Sequence, residues 1–198
     1  MPFNIKNVNN NPTGQFKVGG PVTILSAAAT PFQDGTFAHP FLLATDGVSV
    51  YKELSATPGV TLPTWRGSSY YGIYFKFTMP SLSGLQKLRI LCGVSSQYPF
   101  NHSSTLDAYM GIHSTADSTS PLSFDDDAGT GYAPPGEGLL PFAGGASRID
   151  INIDGSSNPG GASSGVFVVG TQYVICATTY APNITTGGIR CAAYINVT

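Results

Sequence analysis

The stretch Ser69-Tyr70-Tyr71-Gly72-Ile73-Tyr74-Phe75-Lys76-Phe77-Thr78-Met79 decides the fold class. Tyr71, Ile73, Phe75 and Phe77 fall on one face of an extended chain, and Tyr70, Gly72, Tyr74, Lys76 and Thr78 fall on the other. A two-residue period rich in aromatics is that of a strand with one face in a core. Pro80-Ser81-Leu82-Ser83-Gly84 then ends it, because proline and glycine interrupt a hydrogen-bonded ladder.

The same period recurs on both sides of this segment. Downstream, Gln86–Ser95 sets Leu88, Ile90, Cys92 and Val94 against Arg89, and Asp107–His113 sets Ala108, Met110 and Ile112 against Tyr109. Arg148–Asp154 alternates most regularly, with Ile149, Ile151 and Ile153 expected inward and Arg148, Asp150, Asn152 and Asp154 toward water. Gly165–Val169, Gln172–Tyr180 and Ile189–Val197 complete the series. In the last of these Ile189, Cys191, Ala193, Ile195 and Val197 form the expected buried face. Upstream, Pro21–Ser26, Pro40–Thr45 and Val48–Glu53 read as shorter strands around an Asp46-Gly47 turn. No long segment keeps a helical period. The expectation is an all-β jelly-roll sandwich of about ten antiparallel strands. Residues 1–20 read as an extended N-terminal arm and residues 21–198 as one sandwich domain.

Composition narrows the function. Hydrophobic residues make up 41% of the 198, enough for a packed core, but charged residues make up only 10%, against roughly 25% in an ordinary soluble domain. A surface of hydroxyls and amides lacks the charge repulsion that keeps free monomers apart, and suits a protein held against copies of itself or a partner. The nine Lys and Arg are scattered from Lys6 to Arg190, so the concentrated positive footprint of a nucleic-acid surface is missing. Met1–Gly14 holds no apolar signal core and no window is apolar enough to span a membrane. Synthesis in a host cytoplasm is the expectation. Cys92, Cys176 and Cys191 lie inside apolar strand patterns, which points to buried thiols with room for one disulfide.

From Tyr70 onward the order of segments resembles the concanavalin A-like jelly roll of laminin-G, pentraxin and legume-lectin domains. The resemblance rests on YGIYFKFTMP (71–80), KLRILCGVSS (87–96), LDAYMGIHS (106–114), SRIDINIDG (147–155) and the closing hairpin TQYVICATTYAPNITTGGIRCAAYINV (171–197). A tryptophan often opens that hairpin in the family, and Thr171-Gln172-Tyr173 stands there instead. The resemblance implies a lectin-like sandwich of bacteriophage virion type and sugar binding as the family's activity.

Chemistry-bearing residues are few. Phe124-Asp125-Asp126-Asp127-Ala128-Gly129 offers successive carboxylates, either a solvated acidic loop or a calcium site; the spacing is not that of an EF-hand and consecutive side chains diverge, which favours the loop, and Asp125 and Asp127 are the ligands in the second case. Trp65-Arg66, with Tyr70 and Tyr71 following and Tyr74 and Tyr109 facing outward, gives either an aromatic platform for a sugar ring or partner, or a Trp wedged against the sheet as core. His39, His102 and His113 are isolated, no Gly-x-Ser-x-Gly elbow is present, and Glu53 and Glu137 are the only glutamates. No enzyme and no cofactor are expected, calcium apart.

The function expected on these grounds is a structural virion surface protein, a phage head decoration or a tail-associated jelly roll. It works through contacts with identical subunits, as a trimer, and with a capsid or tail protein. Phe3, Ile5 and Val8 of the arm alternate with polar residues and suit addition to a neighbour's sheet, and Trp65, Tyr70 and Tyr74 are the other partner-binding residues. The alternative is a carbohydrate-binding adhesin or receptor-binding protein. The loop Ser114–Ala146 is long enough to carry such a function.

Overall fold

The computed structural model describes residues 32–54, 65–67, 69–93, 106–115, 119–137, 142, 144–185 and 187–197. The arm with Phe3, Ile5 and Val8, and the segment Pro21–Ser26, lie outside the described residues. Ten strands and a short 3-10 turn occur among the described residues. They are β1 (Phe41–Leu42), β2 (Val50–Glu53), β3 (Ile73–Thr78), β4 (Gln86–Gly93), β5 (Ala108–Ser114), β6 (Ser123–Asp125), β7 (Ser147–Ile151), β8 (Ser157–Asn158), β9 (Gln172–Thr179) and β10 (Gly188–Val197). A front sheet runs β1-β3-β9-β5-β6 and a back sheet β2-β10-β4-β7-β8.

The pairings are nested. β5 pairs with β6, β4 with β7, β3 with β9 and β2 with β10, all antiparallel, and successive pairs alternate between the sheets. That is one long hairpin rolled up so that its rungs fall into two layers, the winding of a jelly roll. β8 extends one edge of the back sheet beside β7. β1 extends the front sheet and runs parallel to β3, with Phe41 opposite Phe75, the one departure from the expected all-antiparallel set. Parallel neighbours need a crossover, and β2, lying in the opposite sheet, provides it.

The main core lies between the sheets. Ile73, Phe75 and Phe77 from β3, Leu88, Ile90 and Cys92 from β4, Met110 and Ile112 from β5, Ile149 and Ile151 from β7, and Ile189, Cys191 and Ala193 from β10 fill it. These are the faces that the alternation assigned. The assignment fails at one end. Ile153 is 56% exposed and Val197 70% exposed, with Ile195 also at the surface. β7 stops at Ile151, and a turn in which Gly155 N–H donates to the Asn152 carbonyl (3.0 Å) lifts Ile153 off the sheet. β2 ends opposite Cys191, so Ile195 and Val197 have a ladder neighbour on the β4 side alone. Gly165–Val169 is bent chain rather than strand, with only Phe167 of its large apolar residues buried.

The turn at Asp46-Gly47 is as expected, with Asp46 Oδ1 accepting from Val48 N–H (2.9 Å) and Gly47 at φ 78°. After β6 the long loop leaves the front sheet and folds over the outer face of the back sheet. There Tyr132, Phe142 and Ala146 pack on Leu91 and Tyr194 in a second apolar cluster. The back sheet is therefore covered on both faces, and Asp150, expected in water, is buried in an ion pair with Arg89. Gly129 marks the crossing: a Cβ there would sit 2.5 Å from the Ser147 carbonyl oxygen and 2.8 Å from that of Ala146. Both are fixed backbone, so Gly129→Ala is expected to cost about 3 kcal/mol, the upper range for overpacking. Chemical denaturation checks this, and a loss below about 1 kcal/mol means the loop crosses with more clearance.

Candidate functional site: an aromatic face around Arg66

The outer face of the front sheet carries the best-defined cluster of recognition residues. Tyr109 projects outward from β5, and Trp65 lies against it with ring centroids 5.2 Å apart. Trp65 reaches that position because Gly111, two residues along the same face, has no side chain; a Cβ there would lie 2.9 Å from Trp65 Cζ2. His113 is buried beneath, its ring 5.6 Å from the indole. On the other side Phe124, opposite Gly111 on β6, stacks nearly parallel to Tyr109 at 6.1 Å and 16°. Tyr180, just past β9, completes the row 6.3 Å from Tyr109.

Arg66 sits among these rings. Its guanidinium carbon is 4.2 Å from the Tyr109 centroid, 4.3 Å from Tyr70, 5.7 Å from Trp65 and 5.8 Å from Tyr180. Ring faces attract a cation, and each such contact is worth about 0.5–2 kcal/mol depending on exposure. One terminal N–H donates to the Tyr180 carbonyl at 2.7 Å. Among the described residues Arg66 forms no ion pair with a carboxylate. The site is thus a positive spot framed by rings, with guanidinium donors to spare. Burial raises the Tyr109 phenol above its usual range, and Arg66 pulls it partly back.

Backbone and side-chain hydrogen bonds tie the 65–71 segment to the closing hairpin. Asn183 N–H donates to the Ser69 carbonyl (2.7 Å) and Thr178 Oγ1 to the Tyr71 carbonyl (2.6 Å). Asn183 holds its position in the left-handed region, φ 60°, which asparagine tolerates better than most residues. The face is wet at its rim, with Phe124 47% and Tyr180 53% exposed.

Of the expected partner-binding residues, Trp65 and Tyr70 meet here, joined by Arg66 and Tyr109. Tyr71 packs on the main core instead. Tyr74 does lie on the outer face, but it is 0% exposed, beneath Phe37 and beside Val174 and Cys176. It is not available to a partner, since the segment before β1 folds over it. Burial also pushes the Cys176 thiol up to about 12. Phe124 and Tyr180 were missed. Tyr180 continues the even-numbered alternation of β9 through Val174, Cys176 and Thr178, which is the signal that would have found it.

Asp125, one of the two expected calcium ligands, makes backbone contacts instead of standing free in the loop. Asp125 Oδ2 accepts from the backbone N–H groups of Ala128 (3.1 Å) and Arg148 (2.8 Å), so it fastens the loop to β7. No group of three or more His, Cys, Asp or Glu suited to a metal occurs among the described residues. Burial holds Asp125 above the usual carboxylate range, and Asp107 is raised by burial and then by Asp127 and Asp126. His39 lies 3.9 Å from Asp34, and His102 is outside the described residues.

Gly111→Ala tests the seating of Trp65, the single tryptophan. The added methyl displaces the indole, so emission is expected to shift to the red and quenching by iodide to rise, at about 1–3 kcal/mol in stability. An unchanged spectrum means Trp65 does not rest on Gly111.

No family model matches the chain, and no curated protein sequence matches it. Among solved structures, a pre-peptidase C-terminal domain of collagenase from Bacillus anthracis is similar over 83% of this chain and 98% of that one, at 10% identity and a TM-score of 0.39.

Proposed function

We propose that this chain is a structural protein of a virion surface, a bacteriophage head decoration or tail-associated jelly roll, that holds partners rather than transforming a substrate. The observation that carries the reading is the aromatic face around Arg66. Trp, Tyr and Arg are the residues that dominate interface energetics when clustered, and such clusters are poor in other charges. The composition supports the same reading, with 10% charged residues leaving little repulsion between neighbouring copies. Jelly-roll windings occur in capsid and lectin domains alike, and a winding by itself names no function. The partners in this reading are identical subunits, as a trimer, and a capsid or tail protein, and the location is the virion after synthesis in the host cytoplasm. Sedimentation equilibrium of the full chain, with gold-labelled antibody on particles from the culture that encodes it, tests this. Trimers and labelled particles are expected. A monomer at every concentration with unlabelled particles overturns it.

A second reading places a carbohydrate on the same face. The near-parallel Tyr109 and Phe124 rings favour it, with Arg66 supplying donors to hydroxyls or a sugar carboxylate. A glycan array probed with and without calcium, followed by titration of Trp65 fluorescence with any hit, checks it. An array with no binder in either condition removes it.

A further inference from the structure

We infer that Cys92 and Cys191 form a disulfide that staples β4 to β10 inside the core. The two residues are directly opposed Cα partners in the antiparallel ladder between these strands. Both side chains belong to the core face, both are fully buried, and their Sγ atoms stand 2.7 Å apart. Opposed residues on neighbouring strands hold their Cβ atoms about 4.5–5.5 Å apart, and a disulfide needs about 3.5–4.5 Å. Closing the bond therefore asks for a movement of less than about an ångström. Cys176 is not a competitor. It lies on the outer face of the front sheet with Tyr74 and Val174, in a cluster separate from the core that holds the other two. The odd number of cysteines resolves into a facing pair and a single thiol.

The chemistry is thiol–disulfide exchange with an external low-molecular-weight disulfide of the glutathione class as oxidant. One cysteine thiolate attacks a sulfur of the external disulfide, which forms a mixed disulfide and releases one external thiolate. The second cysteine thiolate then attacks the protein sulfur of the mixed disulfide, so the Cys92–Cys191 bond forms and a second external thiolate leaves. The two cysteine protons end on the two released thiols; the protein pair is oxidised by two electrons and the external disulfide is reduced. Burial raises the Cys92 thiol well above its usual range, and buried thiols in apolar surroundings are inert. The exchange therefore belongs to the folding chain, before the sandwich closes.

The test is to count thiols. Wild-type chain is refolded from denaturant in mixed oxidised and reduced glutathione, shown to melt cooperatively, then denatured without reductant and alkylated with iodoacetamide. One alkylated cysteine, Cys176, is expected by peptide mass spectrometry, with the intact chain two hydrogens lighter than the reduced form. The pair closes a long loop, its members standing 99 positions apart in sequence, so the oxidised form is expected to melt about 5–10 °C above the reduced form. Cys176→Ser keeps the two-hydrogen loss and the melting difference and leaves no cysteine to alkylate, and Cys191→Ser makes the melting temperatures with and without reductant coincide. Three alkylated cysteines in the cooperatively melting protein overturn the inference. So does a bond through Cys176 or one between two chains.

Discussion

Arg89→Ala is expected to lower the unfolding free energy by about 3 kcal/mol, near the bottom of the range of about 3–5 kcal/mol for removing one member of a buried ion pair. Arg89 Nε and a terminal N–H donate to the two carboxylate oxygens of Asp150 at 2.7 and 2.8 Å, and both residues are buried beneath the long loop. Truncating Arg89 leaves the Asp150 charge in a site closed by Tyr132 and Tyr194, and a stranded buried charge is what makes such losses large. Arg148 Nε, 3.9 Å from Asp150, takes up part of the deficit, which sets the lower end. The double variant Arg89→Met, Asp150→Leu removes both charges and is expected to recover most of the loss. Urea denaturation of the two proteins decides the point. Equal losses in the single and double variants would mean that packing around Arg89, and not its charge, holds this face.

Phe142→Ala is the other large effect, about 3–5 kcal/mol by the usual cost of emptying a buried phenylalanine site. The Phe142 ring fills the hollow above Gly93 and lies 3.8 Å from the guanidinium carbon of Arg190, which is fully buried. Removing the ring opens a cavity and takes away the cation's aromatic neighbour together. Phe142→Leu keeps most of the volume and loses the ring, so it is expected to cost less, with the difference read against about 2 kcal/mol for a desolvated cation–π contact. Because Phe142 and Trp65 lie on opposite outer faces of the sandwich, Trp65 fluorescence of the folded variant should match wild type. A shifted native spectrum would mean that the damage passes through the core.

Period-two alternation was enough to place strands and their inward faces, as at Ile73, Phe75 and Phe77 or Ile149 and Ile151. It says which way a residue points and nothing about what lies on top of it. That is why Asp150 and Tyr74 were expected in water. Each points away from the core as the pattern says, and each is then covered by a segment with no period of its own: the loop carrying Tyr132 and Phe142 in one case, the stretch around Phe37 in the other. The candidate site was half legible for the same reason. Trp65, Arg66, Tyr70 and Tyr109 stood out by residue type; the alternation of β9 gives the face of Tyr180, but that Tyr180 and Phe124 stand beside Tyr109 follows from the pairing of β9 and β6 with β5, a long-range property. The three carboxylates after Phe124 stood out by type, but that Asp125 accepts from the backbone N–H groups of Ala128 and Arg148 depends on where the loop meets β7.

The nested pairing sets an order on synthesis. As the chain emerges from the ribosome, β5 and β6 meet first across a short loop, then β4 finds β7, β3 finds β9, and β2 waits for β10. Each step closes a longer loop than the one before, at a rising entropic cost, and long-range pairing of this kind is slow. Until β10 arrives, β2 and β4 both face the gap it will fill, with their edges open to any other strand. A nascent chain stalled short of Gly188 is therefore a sandwich with an unpaired seam through its back sheet, the species most exposed to aggregation or to capture by a neighbouring copy.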